Sequence, residues 1–228
     1  MTYILLGFLD EKIFFSLYNV IIIVREDNRG ENKVLVVVGC IACLIFSVIV
    51  FLVMNHKTNQ IDEAVMNFAL DHRTRVWTLA MKFFTEVGKA MPVAFICLMN
   101  YFYFSKDLFF ANELLICLGV GMLVAYLFKI TIKRERPDEH RLVQEKDYSF
   151  PSYHALGSGL IYFSIILELL SRGASYHWLG LLICVIFLVM IGYSRVYLGI
   201  HYISDVLGGW SLGITLACFV RLIYRLSI

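Results

Sequence analysis

The chain has 228 residues, 60% of them hydrophobic, with a mean hydropathy of +0.75 and a formal net charge of +2. A soluble domain of this length needs far more polar surface, so the composition excludes that class and indicates a polytopic membrane protein. The small net charge gives no reason to expect nucleic acid as a partner. All six cysteines lie in apolar runs, where cysteine behaves as a small hydrophobic residue, and they predict no disulfide framework.

The N-terminal 33 residues are predicted to lie outside the membrane core. Three charged residues at positions 10 to 12 interrupt the apolar start, and the run Ile13–Val24 is too short to cross a bilayer. We therefore divide the chain into residues 1–33, an interfacial helix with its connector, and residues 34–228, a membrane domain.

Six apolar segments in the rest of the chain are predicted to be transmembrane helices. They are Val34–Met54, Ala90–Phe104, Leu108–Ile132, Ser152–Leu170, Leu179–Gly192 and Val206–Val220. The regions Ile61–Asp71 and Trp77–Val87 mix apolar and charged residues at helical spacing, which is typical of amphipathic surface helices. Gly209 and Gly213 form a GxxxG pair and predict close packing of the last span. The predicted fold is all-α, with six transmembrane helices plus interfacial amphipathic helices.

Charged and imidazole side chains are concentrated between the last two apolar runs. Arg195, His201 and Asp205 lie there, and a charge in membrane-length apolar sequence is costly, so these residues are functional candidates. If Tyr202 begins a helix or lies in its first turn, His201 and Asp205 are one turn apart on the same face. The carboxylate can then hold one ring nitrogen and aim the other at a substrate.

Two further polar segments are expected at the same membrane face, because an even number of spans or a loop separates them. Lys129–Pro137 contributes Lys129 and Arg136, and Pro151–His154 contributes His154. The combined set has three cations, two imidazoles and one carboxylate, which suits phosphoryl transfer. Cations offset the charge of the non-bridging oxygens, one histidine attacks phosphorus, and the other protonates the leaving oxygen.

These segments resemble the motifs of the type 2 phosphatidic acid phosphatase superfamily, which includes bacterial phosphatidylglycerophosphate and undecaprenyl pyrophosphate phosphatases. The family's KxxxxxxRP is similar to KITIKRERP at Lys129–Pro137, its PSGH to PSYH at Pro151–His154, and its SRxxxxxHxxxD to SRVYLGIHYISD at Ser194–Asp205. The three occur in the family's order, and the resemblance covers roughly Asn55 to the C-terminus.

The resemblance implies a role for each motif residue. His201 would become a phosphohistidine, Asp205 would orient it, and His154 would act as general acid and then as the base for water. The remaining motif residues would bind phosphate, namely Lys129, Arg136, Ser152, Arg195 and a backbone N–H near Tyr153. No metal and no cofactor are implied.

Tyr153 departs from the family pattern, because it replaces the glycine of PSGH. Glycine permits a positive φ and close approach of the backbone. We expect ordinary helical geometry at Tyr153, with the ring narrowing the substrate entrance; otherwise the pocket differs and activity is in doubt.

Other interpretations remain open. His201 and Asp205 could be a buried polar pair that only joins helices. A protein that retains the anion site could bind or transport lipid phosphates without turnover, although binding alone needs no histidine pair. A zinc site formed with His154 is disfavoured by the surrounding cations, and haloperoxidase-like vanadate chemistry does not suit a membrane protein.

The sequence therefore predicts a metal-independent hydrolase of the cell membrane. Its substrate would be a lipid phosphate or diphosphate such as phosphatidylglycerophosphate, phosphatidic acid or undecaprenyl pyrophosphate, and its other partners would be membrane lipids. If motif cations are discounted, the positive-inside rule predicts cytoplasmic termini and an extracytoplasmic active site. Residues outside the motifs are given structural roles: Lys133 and Arg134 as headgroup contacts or solvated charges, Glu113 and Glu168 as packing or interfacial residues, and Arg221 as part of a basic tail.

Overall fold

The computed structural model describes residues 30–89, 108–137, 141–171 and 177–226. Seven α-helices occur in these ranges: α1 (Glu31–Met54), α2 (Asn59–Asp71), α3 (Arg75–Val87), α4 (Leu108–Ile132), α5 (Tyr153–Ser171), α6 (His177–Tyr197) and α7 (Ile203–Leu226). The described ranges contain no strand, so the predicted all-α fold is confirmed.

Five of these helices, α1, α4, α5, α6 and α7, are long and apolar enough to cross a membrane. Their outer faces expose large apolar side chains, including Leu44 and Phe51 on α1, each 65% exposed. A lipid environment would cover such a surface. The predicted span Ala90–Phe104 and most of the predicted N-terminal segment lie outside the described residues, so a sixth span is not confirmed. α1 begins at Glu31, inside the predicted connector.

The last two transmembrane helices are longer than hydropathy predicts. α6 continues past Gly192 to Tyr197 and carries Arg195 in its last turn, while α7 begins at Ile203 and carries Asp205 in its first turn. Hydropathy places the end of a transmembrane helix at the first charged residue. The helix itself continues past that residue when the protein supplies a partner for the charge. Both candidate residues are therefore fixed on regular helices.

The turn between α2 and α3 is attached to the end of α6. Arg73 donates from Nη2 to the carbonyl oxygen of Tyr197 at 2.7 Å, and the N–H of Thr74 donates to the hydroxyl of Tyr197 at 3.1 Å. The Thr74 hydroxyl also accepts from the N–H of Trp77 and caps α3. These bonds hold the two amphipathic helices over the polar end of the bundle.

α7 packs against α1, α4, α5 and α6, and its glycines allow the closest of these approaches. A Cβ atom added to Gly213 would lie 2.5 Å from the carbonyl oxygen of Leu156, and one added to Gly209 would lie 2.7 Å from that of Ser152. The predicted close contact of the GxxxG pair is confirmed, and its neighbour is α5. The start of α5 is thereby held beside the start of α7.

We expect Gly213→Ala to destabilise the protein by about 1–3 kcal/mol, because the added methyl group overlaps the backbone of α5. Gly119→Ala is the matched control, since a Cβ at Gly119 meets no atom within 4 Å. Thermal unfolding in detergent measures both variants. Equal melting temperatures for the two variants would contradict the proposed dependence on backbone approach.

Candidate active site

The candidate active site lies where α4 and α6 end and where α5 and α7 begin. Most of the predicted site residues meet there in buried positions: Lys129, Arg136, Ser152, Arg195, His201 and Asp205. His154 and Tyr153 are partly buried at the start of α5. The three motif segments, which are distant in sequence, are thus brought to one end of the bundle.

His201 lies in the connection before α7, and Asp205 follows one turn later. The Nδ1 atom of His201 is 3.4 Å from Oδ2 of Asp205 and 3.3 Å from the hydroxyl of Ser149. This Oδ2 accepts from the hydroxyl of Ser149 at 2.5 Å and from the N–H of Tyr202 at 2.9 Å. A proton on Nδ1 suits this carboxylate, so the lone pair of the imidazole is left on Nε2. Nε2 is the ring atom available to attack an electrophile.

His201 is held neutral by its surroundings. Burial lowers its pKa well below the ordinary value of 6.5, and the positive charges of Arg136, Arg195 and Lys129 lower it further. In the structure, Nη1 of Arg136 lies 2.9 Å from Nε2 and donates to its lone pair. A phosphate bound by Arg136 would therefore lie next to the nucleophilic atom.

The three predicted phosphate-binding cations are paired with carboxylates of the connection 141–150. Asp147 contacts Lys129 at 3.0 Å through Oδ2 and Arg136 through Oδ1. Glu145 contacts Nη2 of Arg195 at 2.7 Å. Partial burial raises the pKa of Asp147, but Lys129 and Arg136 outweigh burial and hold this pKa below its ordinary value. Each of the three cations therefore already holds an anionic group of the protein at this position.

Two buried polar atoms at this end of the bundle have no hydrogen-bond partner among the residues that the structure describes, namely Nε2 of His154 and Nε of Arg195. Buried polar atoms in native proteins are normally satisfied, and exceptions need an explanation. A substrate oxygen that reached both atoms would supply the missing partner. The position of His154 at the start of α5 suits protonation of a leaving group.

Tyr153 is the first residue of α5, and its backbone has no positive φ. Among the described non-glycine residues, a positive φ occurs only at His56 and Lys133. The expectation of ordinary geometry at Tyr153 is confirmed. Its ring centroid lies 4.7 Å from Nζ of Lys129, so the substituted side chain forms a cation–π contact with a predicted phosphate ligand.

Arg134 is a largely buried partner of Asp205, and its interpretation as a headgroup contact or solvated charge is wrong. Its side chain is 13% exposed and donates to Oδ1 of Asp205 and to Oδ2 of Asp62, both at 2.6 Å. Burial lowers the pKa of Arg134, but the two carboxylates outweigh it and raise this pKa overall. Lys133 is exposed, in agreement with its interpretation.

Asp62 was predicted only as a charged residue of a surface helix, yet it is fully buried. Its oxygens also accept from the N–H and the hydroxyl of Ser204, at 3.0 and 2.8 Å. The sequence contained a signal, because Asp62, Met66 and Ala69 lie at positions i, i+4 and i+7 and form the buried face of α2. A carboxylate on an apolar stripe needs a partner within the protein.

The opposite end of α7 carries a second buried ionic group. Arg221 lies 2.7 Å from Oε2 of Glu168 and 3.5 Å from Oε2 of Glu113, and all three side chains are buried. The interpretation of Arg221 as part of a basic tail is wrong. Glu113 and Glu168 are buried and contact Arg221, in agreement with the packing role that the sequence predicts for them. These residues join α4, α5 and α7 and lie outside the candidate active site.

The chemistry available at this end of the bundle is that of clustered cations around a neutral imidazole. Among the described residues, no group of three or more His, Cys, Asp or Glu side chains is arranged to hold a metal ion. The available groups are three cations for an anionic substrate, one histidine oriented by a carboxylate and a second histidine without a partner. This set supports nucleophilic attack on phosphorus.

Comparisons with known proteins agree with this geometry. The sequence profile of the PAP2 superfamily matches residues 110–228. Phosphatidylglycerophosphatase B of Bacillus subtilis is 29% identical over 184 residues, which cover 78% of this chain and 90% of that protein. The crystal structure of a transmembrane PAP2 type phosphatidylglycerolphosphate phosphatase from Bacillus subtilis superposes with a TM-score of 0.73 at 28% identity, over 83% of this chain and 96% of that one. An undecaprenyl-diphosphatase of Sulfolobus acidocaldarius is 40% identical over 67 residues, 29% of each chain.

Proposed function

Because the chain belongs to the PAP2 superfamily, we propose that it is an integral-membrane lipid phosphatase that works through a phosphohistidine on His201. The observation that carries this proposal is the arrangement of His201, with Asp205 on one ring nitrogen and Arg136 on the other. A protein that only binds anions needs the cations, but it does not need an oriented imidazole.

In the proposed reaction, Lys129, Arg136 and Arg195 bind the non-bridging oxygens of the substrate phosphate, together with the Ser152 hydroxyl and the N–H near Tyr153. Nε2 of His201 attacks phosphorus, and the bond from phosphorus to the lipid oxygen breaks. Asp205 stabilises the positive charge that develops on the imidazole.

His154 completes the proposed cycle. It gives its proton to the leaving lipid oxygen and then takes a proton from water, which attacks the phosphohistidine and releases inorganic phosphate. No metal ion or cofactor takes part in either step. The neutral state of His201 keeps its Nε2 lone pair unprotonated before the substrate binds, and the hydrogen bond from Arg136 to this atom breaks when Nε2 attacks phosphorus.

We propose phosphatidylglycerophosphate as the first substrate to test. The Bacillus subtilis relative with that activity aligns along most of both chains, whereas the undecaprenyl-diphosphatase aligns over a short segment. Phosphatidic acid and undecaprenyl pyrophosphate present the same terminal phosphate to this site and belong in the same panel.

The proposed location is the cell membrane, with the active site on the extracytoplasmic face and both termini in the cytoplasm. Three cations of the active-site end, Lys129, Arg134 and Arg136, have partners inside the protein and are no guide to topology. The same holds for Arg221 at the other end. The remaining cations are nearly equal in number on the two sides, so the proposed orientation stays a prediction. The active-site side retains Lys57, Arg75, Lys82, Lys89, Lys133, Arg141 and Lys146, and the terminal side retains Arg25, Arg29, Lys33, Lys106, Arg172 and Arg225.

Purified protein in detergent is expected to release inorganic phosphate from phosphatidylglycerophosphate without added metal, at a rate that EDTA does not change. A colorimetric phosphate assay with and without the chelator measures this. A rate abolished by EDTA and restored by a divalent cation would contradict the metal-free mechanism. Absence of release from the whole panel would favour the alternative, a lipid-phosphate binding or transport protein.

A further inference from the structure

Asp147 occupies the position that a substrate phosphate needs. One of its oxygens contacts Lys129 and the other contacts Arg136, so its carboxylate spans two cations in the way that two non-bridging phosphate oxygens would. Lys129 and Arg136 are buried, whereas the side chain of Asp147 is 42% exposed and lies on their solvent side. A phosphate entering from solvent meets Asp147 before it meets the cations.

The attachment of Asp147 is reinforced by its own backbone. The carbonyl oxygen of Asp147 accepts from Nε of Arg136 at 2.7 Å, and the carbonyl oxygen of Tyr148 accepts from Nζ of Lys129. The backbone bonds leave the cations in place when the carboxylate turns outward, since they do not depend on the side chain. Exchange of the carboxylate for a phosphate therefore requires only a side-chain rotation.

We propose that Asp147 is a specificity-determining residue, which competes for Lys129 and Arg136 and selects phosphomonoester and terminal diphosphate groups over phosphodiesters. This inference rests on the proposed function of the site. A phosphomonoester brings a charge of about −1.5 to −2 at neutral pH, which exceeds that of the carboxylate it displaces. A phosphodiester carries a single negative charge, as the carboxylate does. Its attraction to the two cations is therefore no stronger, and it does not displace Asp147.

Such selection matters at a site formed by the ends of membrane helices. Phosphodiester headgroups of the surrounding bilayer are the most abundant anions that such a site would meet. Asp147 keeps these headgroups from occupying the site as competitive inhibitors, and a monoester or terminal diphosphate still displaces it. The cost is a weaker apparent affinity for every anion. If the carboxylate is turned away in about one molecule in ten, that affinity falls about tenfold.

The first test is equilibrium binding of inorganic phosphate, measured by calorimetry in detergent, to the wild type and to Asp147→Asn. Asp147→Asn is expected to bind inorganic phosphate about tenfold more tightly. Asp147→Glu is expected to restore the wild-type affinity. Asp147→Ser also removes the charge, and we expect it to bind inorganic phosphate as tightly as Asp147→Asn does. Asp71→Asn is the matched control, because Asp71 is exposed at the end of α2, and it should change nothing.

The second test is hydrolysis of phosphatidylglycerophosphate in mixed micelles containing increasing amounts of dioleoylphosphatidylglycerol, a phosphodiester. Asp147→Asn should show a lower KM, a similar kcat and competitive inhibition by the diester, whereas the wild type and Asp71→Asn should resist inhibition. Weaker phosphate binding or a raised KM in Asp147→Asn would overturn the proposal and make Asp147 a support for the cations. Because phosphate binding needs no turnover, its result decides the role of Asp147 even if no lipid of the panel is hydrolysed.

Discussion

His201→Ala is expected to lower phosphate release by roughly 10⁴-fold or more, because it removes the imidazole that we propose as the nucleophile. Inorganic phosphate should still bind, since Arg195 and the other two cations are unchanged. Turnover of phosphatidylglycerophosphate and calorimetric phosphate binding, measured on the same preparation, separate these two effects.

His72→Ala is the matched control for this experiment. His72 is exposed at the end of α2, where its ring contacts the carbonyl oxygen of Phe68, so its loss should leave kcat unchanged. Equal phosphate release by wild type and His201→Ala would reject the phosphohistidine and favour the binding protein. Loss of phosphate binding in His201→Ala would show that the imidazole also forms part of the anion site.

Arg134→Gln is expected to destabilise the protein by about 3–5 kcal/mol, because it leaves the buried carboxylates of Asp62 and Asp205 without their shared cation. It should also lower kcat, since Asp205 loses the group that fixes its second oxygen. The free energy of unfolding and kcat are both measured in detergent.

Lys133→Gln is the control for Arg134→Gln, because Lys133 is the exposed neighbour with the same charge. We expect its effect to remain within about 0.5 kcal/mol. Adding Asp62→Asn to Arg134→Gln removes one of the two stranded carboxylates and should recover part of the stability. A fully stable and active Arg134→Gln would show that Ser149 and Tyr202 alone hold Asp205.

The sequence was sufficient for the fold class and for the candidate site residues, because both depend on local signals. Apolar runs of membrane length identify helices such as α1 and α4. The spacing of His201 and Asp205 places them one turn apart, and the structure gives the corresponding ring-to-carboxylate distance of 3.4 Å. The roles of these residues in catalysis remain predictions for the variants above.

The remaining features depend on pairs of residues that are distant in sequence. Arg134 and Asp62 form one such pair, and each alone has the sequence context of a solvated charge. Arg221 also has that context, until the fold brings Glu168 within 2.7 Å. The carboxylate partner of Lys129 and Arg136 comes from the connection 141–150, which no periodic pattern assigns to the site. Hydropathy cannot separate these residues from exposed ones.

Ionic contacts near both ends of α7 have a consequence for the depth at which the enzyme works in the bilayer. Asp205 and Arg221 are 16 residues apart, about 24 Å along a helix; Asp205 is bound to Arg134 in the connection after α4, and Arg221 is bound to Glu168 on α5. Neither sliding nor tilting of α7 alone can adjust the site to a thicker or thinner membrane. The height of the proposed nucleophile is therefore a property of the whole bundle, and we expect bilayer thickness to decide whether a headgroup reaches it.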